Sequence, residues 1–137
     1  MDNKKFKTLL LQKKHIEKYF SYLKCSIGRI SEKLICIGEL QPHKDTDIYK
    51  IKMVYKVGNS PKIYITSPKV EYHDNIHMYK DNSLCLFHKN DFSWNDEKII
   101  IAETIVPWVS EWIIFYEIWK IEGKWKGKEI KHLPNKK

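Results

Sequence analysis

Residues 48–66 read Ile48-Tyr49-Lys50-Ile51-Lys52-Met53-Val54-Tyr55-Lys56-Val57-Gly58-Asn59-Ser60-Pro61-Lys62-Ile63-Tyr64-Ile65-Thr66, and this stretch decides the fold class. Over 48–57 the side chains alternate. Tyr49, Ile51, Met53, Tyr55 and Val57 share one face, and Lys50, Lys52 and Lys56 share the other. A period of two with an apolar row and a charged row is the pattern of an antiparallel strand with one wet face. Gly58-Asn59-Ser60-Pro61 supplies a turn, and 62–66 is the next strand. Immediately upstream, Lys33-Leu34-Ile35-Cys36-Ile37-Gly38-Glu39-Leu40 reads as a further strand ended by Pro42. Three strands at short spacing predict an antiparallel meander.

Outward from the meander the periodicity changes. Phe6, Leu9, Leu10, Ile16, Phe20 and Leu23 repeat at helical spacing, predicting an amphipathic helix over 3–24 with its end near Gly28. From Ser67 to Asn95 no period holds, and a long irregular stretch inside a small domain points to function. That stretch carries His73, His77, Cys85 and His88, with the turn residues Asp81-Asn82-Ser83 just before Leu84-Cys85-Leu86-Phe87. Helical spacing returns from Ile99. Thr104 is placed to cap, Pro107 suits a first turn, and Trp108, Trp112, Phe115 and Trp119 form a face best read as core. Gly123 ends the helix. The tail with Trp125, Gly127, Glu129 and His132 reads as an ordered, docked extension.

The composition bounds what such a chain can be. With 137 residues, 42% of them hydrophobic, it suits one domain spanning 1–137 and excludes disorder as the main reading. The net charge of +8 invites a nucleic-acid partner, but the basic residues are lysines spread along the chain, with Arg29 the only arginine. Arginine is the better bidentate reader of bases and phosphates, so no specific nucleic-acid binding is expected. Charges at Glu103, Glu111, Glu117 and Lys120 interrupt the most apolar region, which argues against a membrane span. Met1-Asp2-Asn3-Lys4-Lys5 lacks the apolar core of a signal peptide, so a cytoplasmic protein with reduced thiols at Cys25, Cys36 and Cys85 is expected, and a disulfide is not.

Few residues invite chemistry. Neither phosphate-cradling glycine loop is present, and no cofactor is expected. Cys85-x-x-His88 has half a zinc spacing but no second half-site, so no metal is expected either. Cys25 follows the amphipathic helix and Cys36 sits mid-strand among Leu34, Ile35 and Ile37, so both read as small packing residues. Cys85 differs, standing after a turn among histidines, where an imidazole can activate a thiol or position an acyl partner.

The order of helix, meander, irregular Cys-bearing loop and helices is similar to the ubiquitin-conjugating enzyme fold, an α+β architecture. Ser67-Pro68-Lys69-Val70 resembles the Pro-Pro-Lys-Val that leads into that family's active-site segment. Leu84-Cys85-Leu86 resembles its Ile-Cys-Leu, whose Cys is the nucleophile, and Trp94 falls near a family Trp. The likeness spans residues 3–121. It departs at one place: the family has His-Pro-Asn upstream, and His77 holds the Asn position, eight residues before Cys85. An imidazole N–H can donate a comparable hydrogen bond to a developing oxyanion.

The string Ile76-His77-Met78-Tyr79-x4-Leu84-Cys85-Leu86-Phe87 and the tail Gly123-x-Trp125-x-Gly127-x-Glu129-x-x-His132 resemble the bacterial branch of this family, found in type II CBASS anti-phage operons. The resemblance implies a carrier in which Cys85 takes the C-terminus of a cGAS-like nucleotidyltransferase, or of a ubiquitin-like protein, as a thioester, with His77 supporting the oxyanion. His88 or His73 could then act as acid or base. With no room for an adenylating domain, the chain resembles the stand-alone form of the short operons, and the resemblance leaves open whether the C-terminus is activated by a separate enzyme or held by the partner. A non-catalytic binding module of the same fold, docking the nucleotidyltransferase without covalent chemistry, stays open as the alternative.

Overall fold

The computed structural model describes residues 1–88 and 90–127. Helix α1 (Asn3–Tyr19) starts at Asp2, whose carboxylate accepts the Lys5 N–H at 2.8 Å. It buries Leu9, Gln12 and Ile16, a single face at helical spacing. The helix ends well before the 3–24 pattern predicts. At Phe20 the backbone leaves the helical region, and Leu23 opens a strand, β1 (Leu23–Ile27). The sequence reading missed this strand because Phe20 and Leu23 extend the helical spacing by chance.

Strands β2 (Lys33–Leu40), β3 (Tyr49–Lys56) and β4 (Lys62–Ser67) fall where the alternation placed them. The meander therefore has four strands rather than three, antiparallel in the order β1-β2-β3-β4. Its inner face carries Leu34, Cys36, Leu40, Tyr49, Ile51, Met53, Tyr55 and Ile63, all buried, while Lys50, Lys52 and Lys56 face water. Fully burying a large apolar side chain stabilises by about 1.5–3 kcal/mol, so this alternation decides which face meets the helices.

The extra strand also corrects the reading of the cysteines. In the β1–β2 register Cys25 stands directly opposite Cys36, the two Cα atoms are 4.1 Å apart, and the pair is joined as a disulfide. Their expected reduced state does not hold. Two residues eleven apart became cross-strand neighbours only because 23–27 turned out to be strand.

The C-terminal part is a 3₁₀ turn, Ile101–Glu103, followed by helix α2 (Ile105–Glu122). Among the described residues this one helix stands where several were expected. Thr104 precedes it without capping, because its Oγ1 donates to the Ile100 carbonyl at 3.0 Å. Gly123 closes it in the left-handed region, at φ 75°. The helix buries Ile105, Val106, Val109, Trp112, Ile113 and Tyr116 into the core shared with the sheet and α1. The buried Gln12 amide ties α1 to the lead-in: its Nε2 donates to the Ile99 carbonyl at 2.7 Å, and its Oε1 accepts the Ile101 N–H at 3.0 Å.

Candidate active site

The segment after β4 is irregular in sequence but tightly bonded. A 3₁₀ turn, Asp74–Ile76, drops Ile76 into the core. His73 opens this turn, its Nδ1 accepting the Asn75 N–H at 3.1 Å, and its ring lies 5.0 Å from that of Trp119. His77 closes the turn at φ 55°, ψ 61°. Among residues with a side chain, His, Asn and Asp are enriched in this left-handed region, so the position suits the Asn of the resembled family and the His found here.

From His77 the chain folds back on itself. Met78 bridges Leu84, the Cys85 N–H donates to the His77 carbonyl at 2.9 Å, and the Tyr79 N–H donates to the Ser83 carbonyl at 2.9 Å. The Asn82 N–H closes the tip on the Tyr79 carbonyl at 2.9 Å, with Asn82 at φ 73°. A left-handed residue at the end of such a turn gives the twist a hairpin needs. The hairpin then continues the sheet edge: Ser83 bridges Tyr64, and the Leu84 N–H bonds the Ile63 carbonyl at 2.9 Å.

Asp81 pins the tip. It accepts the Ser83 hydroxyl at 2.6 Å, the Ser83 N–H at 2.9 Å and the Lys62 ammonium at 2.9 Å. The hydrogen bonds from Ser83, with the Lys62 charge, hold its carboxyl at about 2, below the ordinary 3.8. A carboxyl with a depressed folded-state value stabilises the fold above its ordinary value and loses that contribution as pH falls toward the folded one. Melting temperature is therefore expected to drop between about pH 4 and about pH 2 in the wild type, and to drop less in Asp81→Asn, which starts lower at about pH 5. Parallel curves for the two proteins would show that Asp81 is not the titrating group.

Strand parity sorts the side chains of the hairpin. Met78 and Leu84 go to the core. His77, Tyr79, Ser83 and Cys85 share the opposite face. Cys85 is 4% exposed, and its Sγ lies 3.6 Å from the Phe87 carbonyl. The Tyr79 hydroxyl makes a hydrogen bond with the Cys85 side chain, and burial of that hydroxyl together with this bond raises its pKa. Beside them runs a groove of about 400 Å³ whose walls include Pro61, Lys62, Tyr79, Leu84, Leu86 and Phe87.

Helix α2 and the chain after it hold the His77 turn from behind. The Trp112 Nε1–H is shared between the Ile76 carbonyl at 3.1 Å and the His77 carbonyl at 3.2 Å. Trp125 places its ring 5.1 Å from the His77 ring and 5.5 Å from that of Trp112. Gly127 lies so close that an added Cβ would stand 2.7 Å from Phe115 Cδ2 and 2.8 Å from Trp125 Nε1. This is the docking expected of Trp125 and Gly127; Glu129 and His132 lie outside the described residues. Downstream of Cys85 in the chain, Phe92 packs edge to face on both Phe87 and Trp108, with centroids 4.7 and 5.0 Å away. Beyond them the Asp96 carboxylate gathers the Trp94 indole, the Tyr55 hydroxyl and the Gly58 N–H, tying the end of the loop to β3.

The structure thus brings Cys85 and His77 together as main-chain partners. His73 and His88 each use Nδ1 to hold the local backbone. The Nδ1 of His88 accepts the Asn90 N–H at 3.0 Å, as that of His73 accepts the Asn75 N–H, so each ring closes a turn. Sequence reasoning missed Tyr79 and the clamp by Trp112. Counting back from the Asp81-Asn82 turn would have paired Tyr79 with Ser83 and so set Tyr79 on the face of Cys85. No signal in the sequence placed the Trp112 N–H on the carbonyls of Ile76 and His77. Among the described residues no group of three His, Cys, Asp or Glu is placed to hold a metal ion, and no helix is long and apolar enough to cross a membrane.

No curated protein matches the chain. The model of one family, described as type II CBASS E2 protein, matches residues 12–133, which take in the sheet, the hairpin with Cys85 and all of α2. On the strength of that match, the chain belongs to the family of type II CBASS E2 proteins.

Proposed function

We propose that this protein is a ubiquitin-conjugating-type carrier in bacterial antiviral defence, with Cys85 as its acyl-accepting nucleophile. The observation that carries this reading is the placement of Cys85, a thiol outside the disulfide, on a pinned hairpin against the left-handed His77. The family match supports the E2 role and makes a ubiquitin-conjugating fold the natural reading of the helix, meander and C-terminal helix. In the reaction, the Cys85 thiolate attacks the activated carbonyl carbon of a protein C-terminus. The C–S bond forms, the bond to the leaving group breaks, and the leaving group departs with that electron pair. His77 supports the negative charge on the carbonyl oxygen. The C-terminus comes from a cGAS-like nucleotidyltransferase, and its activation is the work of a separate enzyme.

Co-expression with the nucleotidyltransferase of the same operon tests this. A higher-mass band that reductant collapses and Cys85→Ala abolishes is expected on a denaturing gel. The intact mass should be lighter than the sum of the two chains by one water, which identifies a thioester rather than a disulfide. The near-complete burial of Cys85, at 4% exposure, favours a second reading in which the chain docks its partner without covalent chemistry. Co-purification with no adduct would establish that reading in place of the first.

A further inference from the structure

We propose that Tyr79 is a catalytic residue of this site, its hydroxyl donating a hydrogen bond to the Cys85 sulfur and so favouring the thiolate. The inference rests on Cys85 as the nucleophile and adds the group that activates it. Three observations lead to it. The Met78–Leu84 bridge and the Cys85-to-His77 and Tyr79-to-Ser83 hydrogen bonds fix the register, which makes Tyr79 and Cys85 diagonal neighbours on one face. Diagonal neighbours of a ladder are within reach of an aromatic side chain. The Tyr79 hydroxyl does reach the Cys85 side chain, while the residue as a whole stays 51% exposed at the rim of the groove. The turn that holds Tyr79 in place is itself pinned by Asp81, Ser83 and Lys62.

The chemistry follows from what faces the sulfur. A buried thiolate is costly unless a donor compensates it, and a thiol without help is only a few per cent ionised at neutral pH. Among the described residues, the charged and titratable groups around the hairpin are His77 on the paired arm, Tyr79, Lys80 and Asp81 with its Lys62 partner at the tip, and Tyr64 on the adjoining strand. Of these, the register sets Tyr79 diagonal to Cys85 on the same face, with its hydroxyl hydrogen-bonded to the Cys85 side chain. With its own ionisation raised, it keeps its proton through the neutral range and stays a donor. As the thiolate turns into a thioester the sulfur loses its negative charge and the hydrogen bond weakens. The thiol proton passes to solvent water when Cys85 ionises, and the tyrosine proton never leaves, so the step balances with solvent as the proton acceptor.

The test is the rate of iodoacetamide alkylation at Cys85 in the isolated chain, read by peptide mass from about pH 6 to about pH 10, a range that brackets an ordinary thiol. Removing a hydrogen bond to a charged sulfur is expected to move the inflection in Tyr79→Phe about one unit upward, which is about ten-fold slower at about pH 7, with the high-pH plateau unchanged. Tyr64→Phe, a neighbouring hydroxyl deletion, should match the wild type. Coincident profiles for wild type and Tyr79→Phe would overturn the proposal. A plateau that rises at every pH with an unmoved inflection would also overturn it, showing that Tyr79 only covers the thiol. Alkylation reads the thiol whether or not any partner is bound. Failure here is therefore separate from failure of the carrier reading, which the Cys85→Ala adduct test decides.

Discussion

Trp112→Ala is expected to lower the stability of this protein by about 3–5 kcal/mol, the usual cost of truncating a buried tryptophan. Trp112 is 4% exposed, stacks on Tyr116 at 5.3 Å and bears against Trp125. Truncation opens a cavity among these rings and also takes the shared N–H away from the Ile76 and His77 carbonyls. For a domain of this size the loss corresponds to a melting temperature lower by roughly 10–20 °C. Trp112→Phe separates the two contributions. It keeps most of the ring volume and removes the donor, so a loss of about 1–2 kcal/mol is expected. Equal losses for the two variants in chemical denaturation would mean that the hydrogen bond, and not the packing, carries the clamp.

His77→Ala is expected to slow adduct formation with the nucleotidyltransferase by about a hundred-fold, the usual effect of deleting one oxyanion donor. His77→Asn should retain most of the rate. Asparagine keeps an N–H donor, and it tolerates the left-handed backbone that the turn imposes at φ 55°. The comparison matters because alanine also strains that backbone, at about 1–3 kcal/mol. Melting curves for both variants keep stability apart from rate. If His77→Ala forms the adduct as fast as the wild type while staying folded, His77 holds the turn and has no part in the chemistry. Its contacts suit that role as well, since its carbonyl receives both the Cys85 N–H and the Trp112 Nε1–H.

Both variants probe a site only partly legible in the sequence. Cys85 stood out because it follows a turn inside a stretch with no periodicity, and the local bonds of that stretch explain why. A 3₁₀ turn, a left-handed residue and a short hairpin repeat with neither period, so each looks like loop in one dimension. The histidines could not be sorted in advance. His73, His77 and His88 look alike as residues, yet two close turns with Nδ1 while the third lies buried beside the thiol. Tyr79 was overlooked because it lies outside the strands with a two-residue period, although the Asp81-Asn82 turn would have paired it with Ser83 and so put it on the face of Cys85.

Taken alone, the sequence determined that this is an α+β protein with an N-terminal helix, an antiparallel meander and a helical C-terminal part. Local rules suffice for that much: a two-residue period in β2 to β4, a helical period at each end, and Gly123 to stop α2. Tertiary structure decided the rest. It turned the helical spacing around Leu23 into strand over Leu23–Ile27, because pairing with β2 satisfies a whole ladder of backbone groups and outweighs a weak local preference. That pairing in turn set Cys25 against Cys36 and left Cys85 outside the disulfide. The contacts of Tyr79, Trp112 and Trp125 around Cys85 and His77 join residues from separate elements, and packing of the whole chain is what brings them together.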